Sequence, residues 1–185
     1  MRKSLLIILL ISGMLLLWCT PVFGHPHVFI SPQVHFSFSG DTLSYFNVTW
    51  YFDDMSTMDI VGPHAINATL SLSSSEQKEI LSLEGLPGPS RMGSFCYLEI
   101  DGSLVTLSSP KDISLSVNKG RLVYTFTYDV HRTVSRTAKL WFFDRSNFIA
   151  FDTKSGYYTI SRPAGSQPML SIRPENYVER ILISI

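Results

Sequence analysis

The chain has 185 residues, 45% of them hydrophobic and 16% charged, and its fifteen basic residues balance fifteen acidic ones. A chain without net positive charge lacks the electrostatic footprint of a nucleic-acid-binding protein, so we expect no nucleic-acid partner. The many hydrophobic and aromatic residues exclude a disordered chain, and the length suits one domain.

The first 24 residues have the pattern of an export signal. Arg2 and Lys3 precede an apolar run over residues 5–17, and Val22 and Gly24 are small enough for the −3 and −1 positions of a signal-peptidase site. The apolar run is shorter than the roughly 20 residues that span a membrane. We therefore expect residues 1–24 to be a cleaved signal peptide. Residues 25–185 would then form a single β-rich domain in the periplasm, without stable membrane insertion.

Alternation of apolar and polar residues predicts strands through most of the remaining chain. The alternation is clearest over residues 46–52 and again over residues 122–130. Asp101-Gly102 and residues 118–120 separate further alternating runs and predict tight hairpin turns. Strands at this spacing predict a mainly β fold, either an antiparallel β-sandwich or a partial barrel, with one or two short helices.

The helix signals are few and local. Ser73 and Glu76 form a capping box, which predicts a helix that ends near Glu84. A second, shorter helix is predicted to start near Asp53. Three other segments lack clear periodicity: residues 85–94 predict a surface loop, residues 163–174 an irregular segment, and residues 177–185 a short strand or helix.

Cleavage after Gly24 would leave Cys96 as the single cysteine of the domain. An exported domain with one thiol has no internal disulfide, so its stability must come from its core. Because Cys96 lies in the apolar run of residues 95–98, a buried and inert thiol is favoured over a metal ligand.

The same cleavage makes His25-Pro26-His27 the new N-terminus. An N-terminal histidine offers both its α-amine and its imidazole to one metal ion, and His27 adds a second imidazole. Pro26 has no N–H to deprotonate. This excludes the square-planar mode of metal coordination, which needs a deprotonated backbone amide at the second residue. The pattern therefore predicts a divalent transition metal (nickel, cobalt, zinc or copper) at His25 and His27. The alternative is that both histidines are incidental polar residues.

Other residues are candidates to complete the site. Asp53 and Asp54 end a strongly amphipathic strand, and adjacent carboxylates are costly to bury unless they are paired, hydrogen-bonded or metal-bound. The alternative is that one of them caps a helix. Asp144 is a further candidate ligand, with a turn-forming role as its alternative. His64 follows a Gly-Pro pair on a loop, from which it could swing to a metal.

Four segments resemble the DUF1007 family, small exported bacterial proteins often labelled as periplasmic components of uncharacterised ABC-type transport systems. They are residues 25–30 (HPHVFI), residues 43–54 with a V-x-W-x-F-D strand, residues 95–102 with an aromatic hairpin ending in Asp-Gly, and the aromatic segment of residues 142–151. Similar proteins are often found beside transporters of nickel, cobalt or zinc, so the resemblance implies a metal-related role. It implies His25, His27, Asp53 and Asp144 as site residues.

One departure from the family concerns calcium. Many members carry an Asp-rich, calcium-like loop where this chain has residues 62–69, which contain no carboxylate. Because Ca²⁺ prefers six to eight oxygen ligands, we expect no calcium site in that segment.

Chain size bears on the transport role that the resemblance implies. The usual solute-binding subunit closes two lobes around its ligand, whereas this strand-rich chain without βαβ alternation supports one lobe. We therefore expect a metal-binding accessory protein with a membrane metal transporter as its partner, and not an enzyme. Two alternatives stay open: a copper oxidase or monooxygenase with a histidine brace, and a non-catalytic interaction module.

Overall fold

The computed structural model describes residues 27–84, 86–88, 92–154, 156–161, 169–175 and 178–185. Within these ranges the chain forms twelve β-strands and two short α-helices, and the strands build two sheets around a shared hydrophobic core. The predicted mainly β architecture is confirmed, and it is that of a β-sandwich.

The described elements follow one another along the chain. The strands are β1 (Val28–Ser39), β2 (Thr42–Phe52), β3 (Leu70–Ser71), β4 (Cys96–Ile100), β5 (Ser103–Val105), β6 (Lys111–Asn118), β7 (Arg121–Thr133), β8 (Thr137–Phe142), β9 (Ile149–Phe151), β10 (Tyr157–Ser161), β11 (Met169–Glu175) and β12 (Val178–Ser184). The helices are α1 (Asp54–Val61) and α2 (Ser74–Ser82), with 3₁₀ turns at Pro63–Ala65 and Met92–Ser94. One sheet has the order β10-β1-β2-β7-β6-β3, with β9 also paired to β1, and the other has the order β11-β12-β8-β4-β5.

The core consists of the inward-facing residues of both sheets, as strand periodicity requires. In β1 and β2 the apolar members of the alternating pattern are buried. Trp50 is fully buried and links the two sheets. Its ring meets Phe126 of its own sheet at 4.7 Å and Phe142 of the other sheet at 5.9 Å between centroids, edge-on in both cases. This geometry is the one that aromatic pairs prefer.

Both helices begin where the sequence predicts. Asp53 caps α1, and the Ser73–Glu76 capping box begins α2. The predicted end of α2 near Glu84 was too late, because Leu83 already has an extended backbone (φ −61°, ψ 135°). The predicted surface loop over residues 85–94 was also wrong in part, since Leu86 and Met92 are buried there.

The outer edge of β1 pairs in parallel, so the first sheet is mixed and not purely antiparallel. β9 pairs with residues 28–30 of β1, and β10 pairs with residues 33–37. Pro32 lies between these two pairings. The carbonyl of Ile30 accepts a hydrogen bond from Asp152 on the edge that β9 occupies. Because backbone groups alternate sides along a strand, Pro32 faces the same edge, where its missing N–H breaks no ladder bond.

The end of the chain is more regular than the sequence predicts. The expected irregular segment of residues 163–174 was wrong at its end, because Met169–Glu175 forms β11; residues 162–168 lie outside the described residues. β11 pairs antiparallel with β12, so the tail is a strand. The predicted signal peptide also lies outside the described ranges. In the part of the chain that is described, no helix is long and apolar enough to cross a membrane.

Candidate functional site

His27 is the first described residue and directly precedes β1. Its backbone N–H donates to the carbonyl of Phe148 over 2.8 Å, and its ring packs on the Phe148 ring with 5.3 Å between centroids. The rest of the side chain is exposed. The backbone and one ring face of His27 are therefore held, while its edge stays accessible. His25 lies outside the described residues.

The side chain of Asp53 links the start of β1 to the start of α1 by hydrogen bonds. One carboxylate oxygen accepts from the backbone N–H of Phe29 at 3.0 Å, and the other accepts from the backbone N–H of Ser56 at 2.9 Å. The hydroxyl of Ser56 also donates to this carboxylate. Burial acts to raise the pKa of Asp53, but the hydrogen bonds from Ser56 and Phe29 outweigh it and the pKa is lowered. Asp53 is thus ionised, and its hydrogen bonds hold the starts of β1 and α1 together. This fits the alternative that Asp53 caps a helix.

Asp144 folds the loop that carries Phe148. Its side chain is buried and accepts hydrogen bonds from the backbone N–H groups of Ser146 (2.9 Å), Phe148 (3.0 Å) and Ile149 (2.9 Å). Burial acts to raise the pKa of this carboxyl, but the hydrogen bonds from Ser146, Ile149 and Phe148 lower it overall. The turn-forming role predicted as an alternative is therefore present, and it places Phe148 against His27.

The other two predicted donors lie elsewhere. Asp54 is exposed in the first turn of α1 and lines a hollow of about 50 Å³ with Met58 and Ala65. His64 is exposed in the 3₁₀ turn and lines a hollow of about 260 Å³ between the two helices. Neither residue lines the cleft beside His27.

That cleft has a volume of about 280 Å³ and brings two carboxylates near His27 that the sequence analysis missed. They are Asp59 of α1 and Glu84, which follows α2. The remaining lining residues are Val28, Ser56, Ile60, Leu83, Leu86 and Phe148. The cleft therefore combines an apolar wall with one imidazole and two carboxylates.

One local signal for Asp59 exists. Ser56, Asp59 and Ile60 are spaced i, i+3 and i+4, so they share one face of α1. The direction of this face is set by contacts of α1 with distant parts of the chain. One of them is the hydrogen bond that Asp53 accepts from Phe29, 24 positions away. Glu84 has no comparable signal, because its position depends on how the chain leaves α2.

The donors of the cleft are nitrogen and oxygen ligands, which zinc, nickel, cobalt and copper accept. Among the described residues alone, however, no group of three or more His, Cys, Asp or Glu side chains could hold a metal ion. Cys96 does not contribute, because it is buried in β4 and burial raises the pKa of its thiol. A metal site at this cleft would need donors from the residues that precede His27.

Comparison with known protein families gives a match over most of the chain. A family described as a protein of unknown function, DUF1007, matches residues 10–174. No curated protein matches the chain.

Proposed function

The chain belongs to the DUF1007 family, whose function is unknown, and from the geometry of this member we propose a metal-binding role. The protein is an exported, periplasmic accessory protein of a membrane transition-metal transporter. It binds a divalent ion (nickel, cobalt, zinc or copper) at the cleft beside His27. The ligands are the α-amine and imidazole of His25, the imidazole of His27, and a carboxylate of Asp59 or Glu84.

The observation that carries this proposal is the position of His27. Its ring is held against Phe148 at a cleft that Asp59 and Glu84 also line. A residue spans at most about 3.6 Å of chain, so covalent geometry limits the distance between the Cα atoms of residues 25 and 27 to roughly 7 Å. The amine and imidazole of His25 are therefore within reach of the same cleft.

In this proposal the remaining aspartates have different roles. Asp53 and Asp144 are positioning residues, because their hydrogen bonds hold the start of β1 and the loop of Phe148. Asp54 lies outside the site, in the hollow next to Met58.

The donor set favours transition metals over calcium or magnesium, which prefer sites made of oxygen ligands. An α-amine has an ordinary pKa of about 7.7–8.0 and must lose its proton to bind metal. The proposal therefore expects metal affinity to rise between pH 6 and pH 8, with protons released on binding.

Calorimetric titration with Ni²⁺, Co²⁺, Zn²⁺ and Cu²⁺ tests the proposal. The chain that begins at His25 is compared with the same chain carrying one extra N-terminal Met. Because the extra residue removes the amine–imidazole chelate, we expect at least about a tenfold loss of affinity for the preferred metal, equivalent to about 1.4 kcal/mol. Equal affinities of the two chains would show that the α-amine is not a metal ligand.

A matched pair of variants tests the carboxylate. The double variant Asp59→Asn with Glu84→Gln should weaken metal binding, whereas Asp54→Asn, on α1 but outside the cleft, should leave it unchanged. Equal effects of the two variants would contradict the proposed ligand set. Mass spectrometry of the exported protein checks the premise that cleavage follows Gly24.

A further inference from the structure

The hollow beside His64 adjoins the cleft beside His27. Ile60 of α1 and Leu83, which follows α2, line both of them. The two hollows, of about 260 Å³ and about 280 Å³, therefore lie side by side along the helices. We call the two hollows together the interhelix groove; His27 lines one of them and His64 lines the other.

The floor of the interhelix groove is apolar. Besides Ile60 and Leu83, it includes Val61, Leu72 and Ile80. Leu83 is 38% exposed, which leaves part of this floor open to solvent. An apolar groove of this kind is the surface onto which amphipathic segments of partner proteins dock.

The rim of the groove is negative. Four carboxylates line it, and among the described residues no Lys or Arg does; the four are Asp59, Glu76, Glu79 and Glu84. Lys78 of α2 lines a different hollow, together with Ser74, Gln77, Leu81 and Ser82. The rim therefore presents charge of one sign to any segment that covers the apolar floor.

The sequence shows the same separation of charge. Residues 25–84 contain seven acidic residues and one basic residue, whereas residues 85–185 contain eight acidic and twelve basic residues. The chain as a whole is neutral, so its composition hides an acidic segment that contains both helices.

We propose that the interhelix groove docks a basic amphipathic segment of a partner protein. Its apolar side chains would cover Ile60 and Leu83, and its Lys or Arg side chains would meet the rim carboxylates. Charge complementarity favours this occupant, because such a rim speeds association with cationic partners and rejects acidic ones. A second copy docked two-fold symmetrically would place two acidic rims together. The proposal rests on the groove and not on bound metal.

Fluorescence anisotropy in the presence of EDTA tests the proposal without metal. The probes are a labelled amphipathic helical peptide of Leu and Lys and a matched peptide in which Glu replaces Lys. We expect saturable binding of the Leu–Lys peptide to the processed chain, weakening as salt is raised, and no binding of the Leu–Glu peptide.

Two variants, each with a matched control, test whether the labelled peptide binds at the interhelix groove. Leu83→Asn should weaken binding about tenfold and Glu79→Gln about threefold, as expected for an apolar anchor that the bound peptide covers and for a charge on the rim. Leu104→Asn, at an exposed position in β5, and Asp54→Asn, outside the groove, should each change it less than about twofold. All four positions are solvent-exposed, and thermal unfolding checks that each variant stays folded.

Three outcomes would overturn the proposal. The first is an absence of saturable binding. The second is an equal loss in Glu79→Gln and Asp54→Asn, which would show attraction to net charge alone. The third is concentration-dependent self-association in sedimentation that Leu83→Asn abolishes, which would make the groove an interface between copies.

Discussion

Two histidines are held in different ways, one directly before β1 and one in the second half of β1. In the second half, the Nδ1 atom of His35 lies 2.7 Å from the hydroxyl of Thr159, and its Nε2 atom lies 3.0 Å from that of Ser161. Both ring nitrogens are thus bound to β10. Directly before β1, His27 is held by its ring face on Phe148, and its ring nitrogens make no hydrogen bond to a described residue. The ring nitrogens of His35 join two strands, whereas no described residue uses those of His27.

The carboxylates near the first half of β1 show the same contrast. Asp53 and Asp144 direct their oxygens at the chain itself and fix its path. Asp59 and Glu84 line the cleft instead and have no hydrogen bond or ion pair within the described part of the chain. The carboxylates that fix the path of the chain are therefore different residues from the carboxylates that line the cleft.

The largest effect is expected from Gly156→Ala, which disturbs the contact between Pro32 in the middle of β1 and the residue that precedes β10. A Cβ at this position would overlap the Pro32 carbonyl oxygen and the Tyr158 hydroxyl. Overpacking against backbone should lower the free energy of unfolding by about 3 kcal/mol, measured by urea denaturation. Gly93→Ala is the control, because nothing lies within 4 Å of its added Cβ. Equal losses in both variants would contradict this reading of the β1–β10 contact.

Asp144→Asn should weaken the loop that supports His27. Losing the ionised acceptor of three backbone N–H groups should lower the free energy of unfolding by about 2 kcal/mol at pH 7. Because the folded-state pKa of Asp144 is lowered, its contribution is complete above the unfolded pKa of about 3.9 and is lost as the pH falls through the folded value. Urea denaturation from pH 7 downward should show the difference between the two proteins shrinking in acid.

Asp54→Asn is the control for that experiment, since Asp54 is exposed and outside the loop. It should change the free energy of unfolding by less than about 0.5 kcal/mol at pH 7. A loss in Asp144→Asn that stayed constant down to acid pH would show that the ionised carboxylate is not what stabilises the loop.

Substitution of His35 should affect stability, whereas substitution of His27 should affect metal binding. His35→Ala removes two hydrogen bonds between β1 and β10 and should lower the free energy of unfolding by about 1 kcal/mol without changing metal affinity. His27→Ala should change stability by less than about 0.5 kcal/mol but weaken metal binding. Thermal unfolding and metal titration of both variants measure this. An equal loss of metal affinity in both variants would contradict the different roles given to His27 and His35.

Features set by near neighbours were predictable from the sequence. The alternation around Trp50 gives β2, the capping box at Ser73 gives the start of α2, and Asp101-Gly102 gives a hairpin whose two residues have positive φ (49° and 88°). In each case the deciding interactions lie within a few residues, so the local pattern contains the information.

Features set by distant pairs were not predictable. The parallel pairing of β10 with β1 joins His35 to Thr159, 124 residues apart, and no local pattern selects such a partner. The cleft has the same origin, because Asp59 and Glu84 reach His27 only through the positions of the two helices. A sequence pattern therefore points to the histidine but not to the carboxylates beside it.

Nuclear magnetic resonance with substoichiometric Cu²⁺ tests the central claim most directly. In the processed chain, a paramagnetic ion bound at the cleft should broaden the amide signals of His27, Asp59 and Glu84 first and leave those of His35 and Thr159 sharp. Broadening that begins at His35, or that spreads evenly over the surface histidines, would contradict a metal site at the start of β1.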